Sequence, residues 1–130
     1  MYKSTKEMAA EIRQELKVRY PEAKFSVSKQ SFSMGSSISV VLMSAPFEAL
    51  EANQPYTSDG RNHAQLNEYQ LVDSYRKEER NSNGAILTVA GWRLMREVVV
   101  YLNSLKWFDT RYSFLHLEIG KWDKPFTVRS

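Results

Sequence analysis

Cysteine is absent from this chain of 130 residues. That excludes disulfide scaffolds, cysteine-bound zinc, iron–sulfur clusters and thiol nucleophiles. Histidine is scarce, with two in the chain, too few for a histidine-rich metal site. Long apolar runs are missing. The longest, Val98-Val99-Val100-Tyr101-Leu102, falls far short of the ~20 residues a membrane helix needs. No apolar core follows Met1-Tyr2-Lys3-Ser4-Thr5-Lys6-Glu7, so we expect no signal peptide. Neither charge sign dominates: the net charge is +3 and the pI about 9.2, which permits an anionic partner without demanding one. No internal repeat or low-complexity tract occurs.

What is present is an ordinary globular composition, 42% hydrophobic, 12% aromatic and 25% charged. A chain of this length can bury roughly two-thirds of its unfolded surface, and residues 1–130 are expected to form one domain. Ser4 and Glu7 make a capping box ahead of Met8, Ile12 and Leu16, which recur at helical spacing. Pro21 ends that helix. Phe25 and Val27, then Ile38, Val40 and Leu42, alternate with serines and predict a hairpin. Its turn is expected at Met34-Gly35-Ser36, with Gly35 at positive φ. Residues 45–50 suggest a short helical turn, and Asn53–Asn62 a loop. A third strand is expected around Gln65–Leu71. Arg76–Arg80 is a mixed charge cluster, and Asn81–Gly84 reads as a turn or loop.

Thr88 should cap a second helix whose apolar face is Met95, Val98, Val99, Leu102 and Leu105, ending near Trp107. Gly91 in its first turn weakens a helix, which suggests a close packing contact. A last strand, Tyr112–Ile119, places Leu115, Leu117 and Ile119 on one side and Phe114, His116 and Glu118 on the other. The order α-β-β-(β)-α-β predicts an α+β two-layer sandwich. Two amphipathic helices should lie on one face of a mainly antiparallel sheet of three to four strands.

Chemical motifs are few. His116 and Glu118, two residues apart on one strand face, could form an acid–base pair, but no nucleophile motif accompanies them and a plain solvent-facing pair is the alternative. Asp59, His63, Glu68, Asp73, Asp109 and Asp123 lack metal-ligand spacing. We therefore assign no metal, no cofactor and no catalytic residue, and favour a non-enzymatic protein. Ser33–Ser37 lacks the phosphate-loop pattern and is better read as a turn. The helix–strand–strand–strand–helix order resembles a double-stranded-RNA-binding domain, yet Thr88–Arg93 carries one cation where that family has a lysine cluster.

The serines of the hairpin, Ser26, Ser28, Ser37 and Ser39, are more informative. Short uncharged side chains let another backbone or a flat ligand approach. With Phe114 and His116 they suggest a binding face, against the alternative of a plain solvated sheet. Trp122 between Lys121 and Lys124 reads either as an interface anchor or as a buried residue sealing the sheet edge. The candidate partner-binding residues are thus Ser37, Ser39, Phe114, His116, Lys121, Trp122 and Lys124.

Glu15-Leu16-Lys17, Tyr20-Pro21, Lys24-Phe25-Ser26-Val27-Ser28 and Gly35-Ser36-Ser37-Ile38-Ser39-Val40 resemble a domain associated with large polyvalent proteins of phages and mobile elements. The likeness covers residues 12–42 and fades after Pro46, where the family has Gly-Pro and this chain Ala45-Pro46. The tail Ile119–Phe126 is similar to an ending found in small phage and mobile-element proteins. The resemblance implies a small accessory protein in the cytoplasm of a bacterial host. It would bind a host defence protein or nucleoprotein complex as a counter-defence inhibitor, of the anti-CRISPR or anti-restriction type. Nucleic acid stays open as a partner, as does a small enzyme built on His116 and Glu118. No membrane partner is expected. The oligomeric state is not encoded in any motif.

Overall fold

The computed structural model describes residues 3–51, 63–72, 81–82, 85–110 and 112–129. Helix α1 spans Thr5–Arg19. The capping box is formed: the Glu7 N–H donates to Ser4 Oγ at 3.1 Å, and the Ser4 N–H donates to Glu7 Oε1 at 3.3 Å. Met8, Ala9, Ile12 and Leu16 are the buried stripe. Tyr20 leaves helical geometry just before Pro21.

Strands β1 (Lys24–Phe32) and β2 (Gly35–Ala45) form the hairpin, antiparallel, with Phe32 opposite Gly35. Ser33 and Met34 make the turn, and Gly35, at φ +150°, opens β2. Any Cβ there would lie 2.3 Å from the Tyr112 carbonyl oxygen, so glycine is required for two backbones to meet.

The chain then forms β3 (Ala64–Leu66), α2 (Glu68–Val72), a small ribbon of β4 (Asn81–Ser82) and β5 (Ala85–Ile86), and α3 (Val89–Ser104). A 3-10 turn at Trp107–Asp109, then β6 (Ser113–Ile119) and β7 (Thr127–Val128), complete it. The main sheet runs β1-β2-β6-β3, and β7 pairs with the end of β2.

The α+β class and its helix-on-sheet layering are as expected, but the sheet is mixed. β2 pairs with β6 and β7 in parallel, and β1–β2 and β6–β3 are antiparallel. A tight turn forces antiparallel pairing, whereas the long connection from β2 to β6 runs through α3 and frees β6 to return parallel.

Thr88 caps α3 by accepting from the Gly91 N–H at 3.0 Å. The faces of α1 and α3 join one apolar cluster with Ile38, Val40 and Leu42 of β2 and Leu117 and Ile119 of β6. Fully buried side chains such as Ile12, Leu16, Val98 and Leu102 each contribute about 1.5–3 kcal/mol of transfer free energy. The helices also touch directly: the Arg19 guanidinium lies 4.4 Å over the Tyr101 ring, and Tyr20 OH donates to Glu97 Oε1 at 3.4 Å.

Five local expectations change, the first being the hairpin turn, which lies at Ser33–Met34 rather than Met34–Ser36 because Gly35 and Ser36 already pair with Phe32 and Ser31. The strand around Gln65–Leu71 stops at Leu66, because Asn67 Oδ1 accepts from the Tyr69 and Gln70 N–H groups and starts α2. Residues 45–50 hold no helical turn. Leu50 pairs with Leu87, and the Ala49 carbonyl accepts from the Thr88 N–H at 3.0 Å, which draws the segment out. The second helix ends at Ser104, with Lys106 at φ 62° before the separate turn at Trp107. Asn81–Ser82 is a strand rather than a loop. The loop expected at 53–62 and the charge cluster at 76–80 lie outside the described residues.

The expected close contact at Gly91 is present. A Cβ on Gly91 would sit 2.3 Å from the Ala49 carbonyl oxygen.

Candidate functional site

Strand alternation gives the sheet two different faces. Ile38, Val40 and Leu42 point to the helices, so Ser37, Ser39, Val41 and Met43 point away. Register then places Gln30 and Phe114 on either side of Ser37, and Ser28 and His116 on either side of Ser39. Four of the seven residues proposed from sequence, Ser37, Ser39, Phe114 and His116, therefore share one patch.

An aromatic pair roofs this patch. Phe32 on β1 and Phe114 on β6 are stacked with ring centroids 5.9 Å apart. Their strands flank β2 and so stand about 9.6 Å apart, which means both rings lean inward over β2. Ser37 is buried at 4% exposure, so it is a floor and not a contact surface. Phe32 and Phe114 remain 45% and 43% exposed, and Met34 and Tyr112 beside the hairpin turn are exposed too. Exposed large apolar side chains gathered at one end of a sheet mark an interaction surface more often than scattered ones do. The face is not open throughout: Val41 and Met43 on the same side are buried.

Among the described residues, fixed charge is missing from the open half. Ser28, Gln30, Phe32, Ser39, Phe114 and His116 carry no fixed charge. Glu118 lies further along the face. Its Oε2 is 3.1 Å from Nε2 of His63, both half-buried. The possible His116–Glu118 acid–base pair is therefore not formed. His63, just before β3, reaches the carboxylate from the neighbouring strand, while the exposed His116 side chain makes no hydrogen bond or ion pair among the described residues. Also among the described residues, no group of three or more potential ligands could hold a metal ion.

The other three candidates lie elsewhere. Lys121 and Lys124 bond to each other's backbone at 2.9 and 3.1 Å and close a tight turn around Trp122 and Asp123. Gly120, at φ 68°, feeds this turn from the end of β6. Ile119 is about 16 Å along the strand from Phe114 at ~3.3 Å per residue, so the turn occupies the opposite end of the sheet. Trp122 is 62% exposed at its tip, which rules out the buried, edge-sealing alternative. The tryptophan that does seal the core is Trp107, whose Nε1 donates to the Lys3 carbonyl at 3.0 Å.

Phe32 and Gln30 were not among the sequence candidates. Their signal was the same alternation that marked Ser26 and Ser28, continued four residues further along β1.

Helices over a mixed sheet whose other face carries an exposed aromatic pair define a small α+β domain. The chain belongs to the family described as Large polyvalent protein associated domain 29, which it matches over residues 3–99. It is thus a protein associated with phages or mobile elements. The match runs well past residues 12–42 and includes Pro46, but stops within α3, before β6. Ser37 and Ser39 fall inside it, whereas Phe114, His116 and the Lys121–Lys124 turn fall beyond it. No curated protein and no solved structure matches the chain. No helix among the described residues is long and apolar enough to cross a membrane.

Proposed function

We propose that the chain works without catalysis, by binding a protein of the host's defence machinery, alone or within a nucleoprotein, through the hairpin half of its open sheet face. The observation that carries this is the exposed Phe32–Phe114 stack on an uncharged floor. Interfaces between proteins concentrate aromatic anchors in a core depleted of charge, inside a polar rim. A nucleic-acid surface needs cations for the phosphates, and the described residues of this patch supply none. Serines around the rings admit a close, flat partner. The counter-defence role is part of the same proposal, and the family's association with phages or mobile elements is what supports it.

The test is affinity capture from a bacterial host lysate, with and without nuclease, using the wild type, Phe114→Ala and Ser39→Arg. The expected result is one protein retained by the wild type after nuclease treatment and lost with both variants, whose melting temperatures stay near wild type. Retention that both variants preserve, or that nuclease abolishes, would overturn the proposal.

A further inference from the structure

A second site lies on the helix side of the sheet, away from the aromatic patch. Here α1 covers β1 and β2, while the corner formed by β3, the start of α2 and the first half of β6 is less covered. Leu115, which faces the helices, is only half-buried there. A cavity of about 230 Å³ opens at this corner, lined by Leu66, Asn67, Glu68, Tyr69, Leu115 and Leu117. Its floor is three leucines. Its wall is fixed by the Asn67 side chain, which accepts from the Tyr69 N–H at 2.9 Å. The Tyr69 ring stands at the rim, 76% exposed.

Glu68 is what makes the cavity specific. Among the described residues four carboxylates are half-buried: Glu11, Glu15, Glu68 and Glu118. Glu11 is paired with Lys3, Glu15 with Arg19 and Glu118 with His63. The Glu68 carboxylate has no hydrogen bond or ion pair among the described residues. Burial raises its pKa above the ordinary carboxylate value, as expected where no cation offsets the lost hydration. A partly desolvated carboxylate over an apolar floor, beside an aromatic ring, is complementary to a cation on an apolar stem. The volume is below the ~300 Å³ at which drug-sized ligand sites begin, so it suits a single side chain.

We propose that this cavity binds a primary alkylammonium group, presented as a lysine side chain by a partner protein. The ammonium sits on Glu68 and against Tyr69, and the methylenes lie on Leu66, Leu115 and Leu117. The site does not depend on the sheet-face proposal, and either can fail alone.

The test uses the full chain with its leucine methyl groups labelled for NMR. n-Butylammonium chloride is the probe, n-butanol supplies the stem without charge, and ammonium chloride supplies the charge without a stem. Saturable shifts of the Leu66, Leu115 and Leu117 methyls with n-butylammonium in the millimolar range are expected, with neither control saturating at the same concentrations. Glu68→Gln should weaken binding at least tenfold while the protein stays folded. Equal binding of n-butanol, no saturation, or an unchanged affinity in Glu68→Gln would overturn the proposal. A further arm compares Nα-acetyl-lysine methylamide with spermidine. Lysine binding as tightly as spermidine supports a protein source, and a tenfold preference for spermidine refutes it.

Discussion

Gly91→Ala offers the sharpest check on how the fold is held, because two effects of similar size oppose each other. In an ordinary helix the change stabilises by up to about 1 kcal/mol, since glycine gives up more backbone freedom than alanine. At this position the new Cβ would meet Ala49 backbone atoms at 2.3, 2.8 and 2.9 Å. Backbone cannot rotate aside as a side chain can, so residues 48–51 must move by about an ångström to reach ordinary van der Waals distance. Three hydrogen bonds depend on that segment: Thr88 N–H to the Ala49 carbonyl, Thr88 Oγ1 to the Glu48 carbonyl, and Glu51 N–H to the Ile86 carbonyl. At about 1 kcal/mol each, their loss outweighs the propensity gain and leaves a net destabilisation of about 2 kcal/mol. For a chain of this size that lowers the melting temperature by roughly 8 °C. Thermal and urea denaturation followed by circular dichroism would measure it. Ala10→Gly, at an exposed position in the middle of α1, is the companion variant and should cost about 1 kcal/mol. The same two residues exchanged in opposite directions should thus both destabilise. A Gly91→Ala protein as stable as wild type would refute the backbone contact as the reason for this glycine.

The Tyr101 hydroxyl is buried with no hydrogen-bond partner, and burial, then Glu11 and Glu15, push its pKa up from 10.0 to about 12. Between those values the unfolded chain has lost a proton that the folded one keeps, so stability falls as pH rises. Tyr101→Phe should match or exceed wild-type stability at neutral pH, by up to about 1 kcal/mol, and lose less on alkalinisation. A steeper alkaline decline in melting temperature would contradict this. Glu68→Gln should raise stability at neutral pH, because the raised pKa of Glu68 means its ionised form is penalised in the fold. The gain should shrink as pH falls and vanish below the ordinary value of 4.5, and a gain that persists in acid would point to another cause. Once a partner is in hand, binding at the sheet face should change little between low and moderate salt. A drop of about a thousandfold between 50 and 200 mM, the behaviour of a surface touching six or more phosphates, would reassign the patch to nucleic acid.

Legibility in the sequence followed the length and regularity of each element. Helices α1 and α3 were readable because caps and a helical period coincide: Ser4 with Met8, Ile12 and Leu16, and Thr88 with Met95, Val98, Val99 and Leu102. The hairpin was readable because alternation in β2 persists over eleven residues. β3 and α2 were not, since three and five residues are too few to express a period. The only local marker was Asn67, a residue type that commonly opens a helix. Residues 45–50 failed for another reason. Proline and alanine there permit a turn, but Leu50 is drawn into a bridge with Leu87, and no local pattern encodes so distant a partner. Parallel pairing of β2 with β6 is equally non-local, since both strands would show the same alternation in either direction.

The candidate site divides along the same line. Which residues share a face follows from period-two spacing, so the grouping of Ser39, Phe114 and His116 could be anticipated. What each residue touches depends on strand order, and that is where the His116–Glu118 pair failed. A strand offers Glu118 a neighbour two residues away, about 6.6 Å along the chain. The sheet adds neighbours on both flanking strands at comparable reach. Antiparallel register sets Ala64 opposite Ile119, which carries His63 toward Gly120. Gly120 has no side chain to fill that space, so the imidazole can turn to Glu118 at 3.1 Å. The consequence reaches beyond one lost dyad. With Glu118 held by His63 at the far end, the described residues of the hairpin half of this face include no carboxylate, lysine or arginine. The proposal of a protein rather than a polyanion on the Phe32–Phe114 patch rests on that neutrality of the described residues.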